Sequence, residues 1–116
     1  MAGETLHEER DVIGPEVLDR HRAMSTIMEE LEAIDWYDQR IKAATNPELQ
    51  AVLAHNRNEE KEHASMLLEW LRRNDAEFAS HLRTYVFSQG PIREVKTAAG
   101  GVATTGGSLS IGSLKG

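Results

Sequence analysis

Cysteine is absent from the 116 residues, which removes disulfides, thiolate metal sites and thiol nucleophiles together and leaves oxygen and imidazole to hold any metal. Aromatics are scarce at 5%, and bases are outnumbered, 13 Lys and Arg against 19 Asp and Glu, for a formal net charge of -6. That balance argues against nucleic acid as the main partner and suits the capture of cations. Long hydrophobic runs are missing too: apolar stretches extend over only a few residues, and residues 1–10 are charged rather than hydrophobic. Neither a membrane span nor a secretory signal is read, so a cytoplasmic location is expected. The length allows one modest domain at most and excludes a large enzyme.

What is present reads as helix. After an acidic, polar arm over residues 1–14 that ends at Gly14-Pro15, no Gly or Pro interrupts the chain as far as Ala44. Ala23, Ile27, Glu30, Ile34, Tyr37 and Ile41 recur there at intervals of four and three, the period of one long amphipathic helix. Thr45-Asn46-Pro47 breaks it, with Asn46 placed to cap a second helix and Pro47 at its first position. The second helix is expected to reach about Arg73, with Leu49, Leu53, Asn56, Glu60, His63, Ala64, Leu67 and Leu71 as its stripe and Val52, Met66 and Trp70 along one flank. Asn74-Asp75 reads as a stop and a new cap for a shorter helix from roughly Ala76 to Phe87. The fold class is all-α: an antiparallel two-helix hairpin plus a short C-terminal helix, with residues 15–90 as the helical part. Residues 91–107 are expected to form a flexible linker, since Ala, Thr, Gly and Ser dominate it from Thr97 onward. Residues 108–116 set Leu109, Ile111 and Leu114 on a bland tail, either as anchors of a peptide that docks in a partner's groove or as chance apolar residues of a disordered end.

One constellation carries chemistry. Glu60 and His63 stand three residues apart within the apolar stripe of the second helix, and Glu30 occupies the corresponding seam of the first. Thr45 lies midway between residues 30 and 60, so an antiparallel hairpin brings the two carboxylates level, each roughly 22 Å from the turn. Unpaired carboxylates buried there would cost several kcal/mol, as an order of magnitude, without a positive charge among them. Spacing places no Lys or Arg at that level, so a bound cation is the natural compensation. The competing reading puts Glu60 on a solvated face beside Arg57 or Lys61 and His63 at the edge of the core. A di-metal site in a four-helix bundle takes a Glu from each of two helices and Glu-x-x-His from each of the other two. This chain has one helix of each kind, so a two-fold dimer supplies Glu30, Glu60 and His63 twice, and its four carboxylates balance two ferrous ions. Oxygen-rich ligands with one imidazole per metal suit iron, with manganese or zinc as rivals.

Smaller signals surround this centre. Tyr37, on the flank of Glu30, is read either as a hydrogen-bonding or electron-passing neighbour of the site or as a packing aromatic. His55, Glu59 and Glu62, at i, i+4 and i+7 on the outward face, have a geometry able to hold a cation weakly, although solvated polarity is the commoner role, as it is for Glu29 and Glu32.

With these residues in place, the chain resembles the encapsulated ferritin-like proteins. The resemblance runs from Leu18 through Met28 to Tyr37, across His55-Asn56-Arg57-Asn58-Glu59-Glu60-Lys61-Glu62-His63 and Leu68 to Arg73, and on to Leu82-Arg83-Thr84-Tyr85. The tail is similar to the targeting peptide by which cargo binds the inner wall of an encapsulin shell; Ser110 replaces a glycine, a mild departure that leaves Leu109, Ile111 and Leu114 in register. The resemblance implies a ferritin-like four-helix bundle formed by dimerisation and a decameric ring of five dimers. It implies ferroxidase activity at Glu30, Glu60 and His63, with Tyr37 nearby, oxidising Fe(II) with dioxygen, two iron ions per dimer interface. It also implies a metal uptake route at Glu29 and Glu32 with Trp36 beside them, and an outer site at His55, Glu59 and Glu62 for calcium or another divalent cation. Mineral would then be stored in the lumen of an encapsulin nanocompartment, the shell being the partner, with no nucleic acid or membrane involved. Two other classes are weighed against this: a non-enzymatic helical adaptor with a structural metal site, and a related di-iron enzyme tuned to peroxide.

Overall fold

The computed structural model describes residues 6–96. The expectations for residues 1–5 and 97–107, and for the peptide 108–116 with Leu109, Ile111 and Leu114, lie outside the described residues. The described part is all-α: α1 (Arg10–Ile13), α2 (Pro15–Ala43), α3 (Pro47–Asn74), α4 (Ala76–Tyr85) and a closing 3₁₀ turn (Ile92–Glu94). No helix among the described residues is long and apolar enough to cross a membrane.

The chain forms two compact units, divided between Leu71 and Arg72. In the first, α1 is a single turn where the polar composition suggests an irregular arm; Val12 and Ile13 donate their N–H groups to Glu9 O at 3.1 and 3.0 Å. Four residues are too few for a helical period to show in sequence. Gly14 then redirects the chain at φ 82°, a left-handed value that a side chain would disfavour, and Pro15 opens α2 with its φ already suited to a helix.

α2 ends where its last N–H bond, Ala44 N to Arg40 O, gives way to an extended Ala44, and Asn46 caps α3 by accepting from Leu49 N at 2.9 Å. Gln50 ties the turn shut by donating to Ile41 O at 3.1 Å and to Ala44 O. Further from the turn, Arg57 meets Asp38 at 3.0 Å and His63 meets Glu30 at 3.3 Å. Partners that move backward along α2 as they move forward along α3 define an antiparallel hairpin.

The seam between these helices is thin. Ala23 and Ile27 of α2 and Ala64 and Leu71 of α3 are the buried apolar residues of these helices, and Leu71 alone is a large side chain reduced to 2% exposure. A second apolar face of α2, spaced by seven, four and three residues, carries Val17, Met24, Met28 and Leu31, all exposed. On α3, Leu49, Val52, Met66 and Trp70 are exposed too.

In the second unit Asp75 caps α4 by accepting from Phe78 N at 3.0 Å. Spacing predicts this helix as far as Phe87; it stops at Tyr85, because Val86 turns extended at ψ 131° and Phe87 follows at φ 64°.

Candidate metal centre

Glu30 is on α2, and Glu60 and His63 are one turn apart on α3, so the hairpin is what joins them. Nδ1 of His63 lies 2.9 Å from Glu60 Oε1 and 3.3 Å from Glu30 Oε2. One ligand atom from each residue falls within 4.8 Å of the other two, and no other group of three or more His, Asp or Glu residues does so among the described residues. The carboxylates are mostly covered, with 17% and 25% of their side-chain surfaces exposed, whereas 45% of the imidazole remains open. The centre thus has a closed floor and an open side.

Its electrostatics follow from crowding. Burial first, then a hydrogen bond with Glu60 and the charge of Glu60, raise the pKa of Glu30 above the ordinary carboxylate value. His63 is raised as well, chiefly by its hydrogen bond to Glu60 and against the effect of partial burial, with both carboxylates adding attraction. Spacing alone finds no Lys or Arg at this level; the imidazole of His63 is the group that both carboxylates meet. Were Nδ1 protonated, that proton could serve only one acceptor well at a time, and two ionised carboxylates would still hold surplus negative charge. Two oxygen donors and one nitrogen in that state match the needs of a divalent first-row metal ion, which would replace the proton as the shared cation.

The other sequence-selected residues are placed as follows. Tyr37 is half-buried on α2, and the guanidinium of Arg40 stands 6.0 Å from its ring and 5.6 Å from that of exposed Trp36. Glu29 is half-buried and Glu32 exposed on the same helix. On α3, His55 Nε2 reaches Glu59 Oε2 at 3.3 Å on an exposed face, while Glu62 does not join them in a three-ligand cluster. Arg57 escaped the sequence reading as anything but a potential partner of Glu60; it pairs instead with Asp38 across the hairpin. Taking Thr45 as the turn sets residue 57 level with residue 33, more than a helical turn from Asp38, so the antiparallel register alone does not pick out the pair.

Known proteins resemble this chain along most of its length. The sequence profile of the EncFtn-like family matches residues 5–89. An encapsulated ferritin-like protein of Rhodospirillum rubrum is 56% identical over 128 aligned residues that span all of this chain and 91% of the relative. An encapsulin nanocompartment cargo protein of Myxococcus xanthus is 40% identical over 57 residues, covering 49% of this chain and 44% of the relative. The crystal structure of protein ne0167 from Nitrosomonas europaea superposes with a TM-score of 0.73 at 49% identity, covering 77% of this chain and 98% of that one. The chain therefore belongs to the EncFtn-like family, the encapsulated ferritin-like proteins.

Proposed function

We propose that this protein is a ferroxidase that oxidises Fe(II) to Fe(III) with dioxygen at a di-iron site shared by two subunits. The observation that carries the reading is the convergence of one ligand atom each from Glu30, Glu60 and His63 within 4.8 Å. Three donors are half of what a carboxylate-rich di-iron bundle site uses, and a two-fold axis beside the open imidazole doubles them. The exposed apolar faces of α2 and α3 supply surface for such an association.

In this reading Fe(II) is substrate, and each ion yields one electron to dioxygen. The chain's own groups do three things. Glu30 and Glu60 supply anionic oxygen that favours the more highly charged ferric product. His63 gives up its Nδ1 proton as metal arrives, so loading releases protons. Tyr37, on the flank of Glu30, is read as a neighbour of the site that hydrogen-bonds a ligand or passes an electron. Glu29 and Glu32, with Trp36, are read as the uptake route, and His55, Glu59 and Glu62 as an outer cation site completed by other copies.

The assembly proposed is a ring of five dimers loaded into an encapsulin shell, within the cytoplasm, through the anchors Leu109, Ile111 and Leu114. Support comes from likeness of the tail to shell-targeting peptides and from the full-length match to an encapsulated relative. Residues 1–14 are read as an arm, 15–90 as the half-bundle, 91–107 as a linker and 108–116 as the docking peptide.

The deciding experiment adds Fe(II) anaerobically and then admits air. Ferric absorbance should rise well above the uncatalysed rate in the native protein and fall to near that rate in Glu60→Ala. Equal rates with and without protein would leave the non-enzymatic adaptor as the better reading, and a faster reaction with peroxide than with dioxygen would favour the peroxide-tuned class. Deleting residues 108–116 should abolish co-purification with a shell while sparing oxidation; undiminished loading would remove the targeting role.

A further inference from the structure

Arg57 stands one helical turn before Glu60, on the same face of α3. A guanidinium at that spacing is the natural intrahelical partner of the carboxylate, and a charge-assisted pair between them would fill the metal site with a fixed cation. The structure places it elsewhere. Arg57 Nη1 is held by Asp38 Oδ1 of α2 at 3.0 Å, its Nε reaches Asn58 Oδ1 at 3.3 Å, and only 25% of its side chain is exposed. Glu60 Oε1 meets His63 Nδ1 at 2.9 Å instead. The two cations differ in kind: an imidazole gives up its proton to a metal near neutral pH, whereas a guanidinium stays charged under all working conditions.

We infer that Asp38 is a positioning residue for the metal centre, holding Arg57 across the hairpin so that its permanent charge cannot occupy Glu60 in place of a metal ion. This rests on the reading of Glu30, Glu60 and His63 as metal ligands. A simple strut between helices would also pair Asp38 with Arg57, but the two roles differ in their mutational signs. If the pair is a strut, removing either partner harms the site equally. If Asp38 restrains Arg57, removing Asp38 harms metal binding, removing Arg57 does not, and removing both repairs the loss.

The test uses cobalt(II), which binds similar ligands without needing oxygen and reports through its visible absorption. Full-length native protein, Glu60→Ala, Asp38→Asn, Arg57→Met and the Asp38→Asn/Arg57→Met double variant are titrated, with circular dichroism to check helix content. Asp38→Asn should bind cobalt more weakly by roughly tenfold to a hundredfold, the range set by one charge-assisted hydrogen bond that must break before metal enters. Arg57→Met should bind at least as well as native protein, and the double variant should recover to within about threefold of it. Equal losses in the two single variants, no loss in Asp38→Asn, or no recovery in the double variant would each overturn the inference. Failure of the underlying site shows differently: native protein would not bind cobalt, or Glu60→Ala would bind it equally well, and both readings would then fall together.

Discussion

His63 has one ring nitrogen between two carboxylates, at 2.9 and 3.3 Å, and this decides how the metal-free chain responds to pH. Both His63 and Glu30 favour the protonated form more in the fold than in the unfolded chain. A raised folded pKa adds stability that is complete below the unfolded value and is lost as pH rises through the folded one. For the imidazole that loss begins above its ordinary value of 6.5; for Glu30 it begins above 4.5. In chelator, thermal melts followed by circular dichroism should therefore give a Tm that falls between about pH 6 and pH 8. His63→Gln should flatten that fall, and an unchanged slope in the variant would show that other groups set it. Metal reverses the preference, because ligands bind deprotonated; affinity for cobalt(II) should rise over the same range with release of protons.

At the scale of elements, the ends of the helices are set by single side chains. Asn46 accepts from Leu49 N and Asp75 from Phe78 N, so each satisfies an N–H that the helix cannot. Replacing either by Ala should destabilise the chain by about 1 kcal/mol, readable as a shift in the urea midpoint with unchanged slope. Asn46→Ala carries a second expectation, since its helix presents Glu60 and His63 but starts nearly four turns before them. Cobalt affinity at the site should stay within about threefold of native, because fraying is confined to the first turn. Both caps are legible in sequence as Asn-Pro and Asn-Asp after an apolar stripe. The single turn α1 is not legible, nor is the stop at Tyr85, where an extended Val86 and a left-handed Phe87 follow although the local residue types would continue the helix.

For the whole molecule, the balance between buried and exposed surface is the governing fact. Two long helices bury only Ala23, Ile27, Ala64 and Leu71 between Pro15 and Leu71, while Val17, Met24, Met28, Leu31, Leu49, Val52, Met66 and Trp70 stay exposed. A hairpin with so small a core would gain stability from association. If two copies share the metal, ferrous ion added anaerobically should shift sedimentation toward the dimer or larger ring at fixed protein concentration. Glu30→Ala should lose that shift while keeping its helix content, and a metal-independent assembly would separate oligomerisation from the site.

From sequence alone come α2, α3 and α4, the turn at Thr45, the caps and the candidacy of Glu30, Glu60 and His63, because each depends on local chemistry and on the helical period. The family likeness is written there as well, in runs such as residues 28–37 and 55–63. Tertiary structure alone decides which charges meet. Arg57 has Glu60 within one turn and yet pairs with Asp38, nineteen residues away in the chain. Pairing is a competition among nearby partners, and its outcome depends on the distance between two helices that no single helix contains.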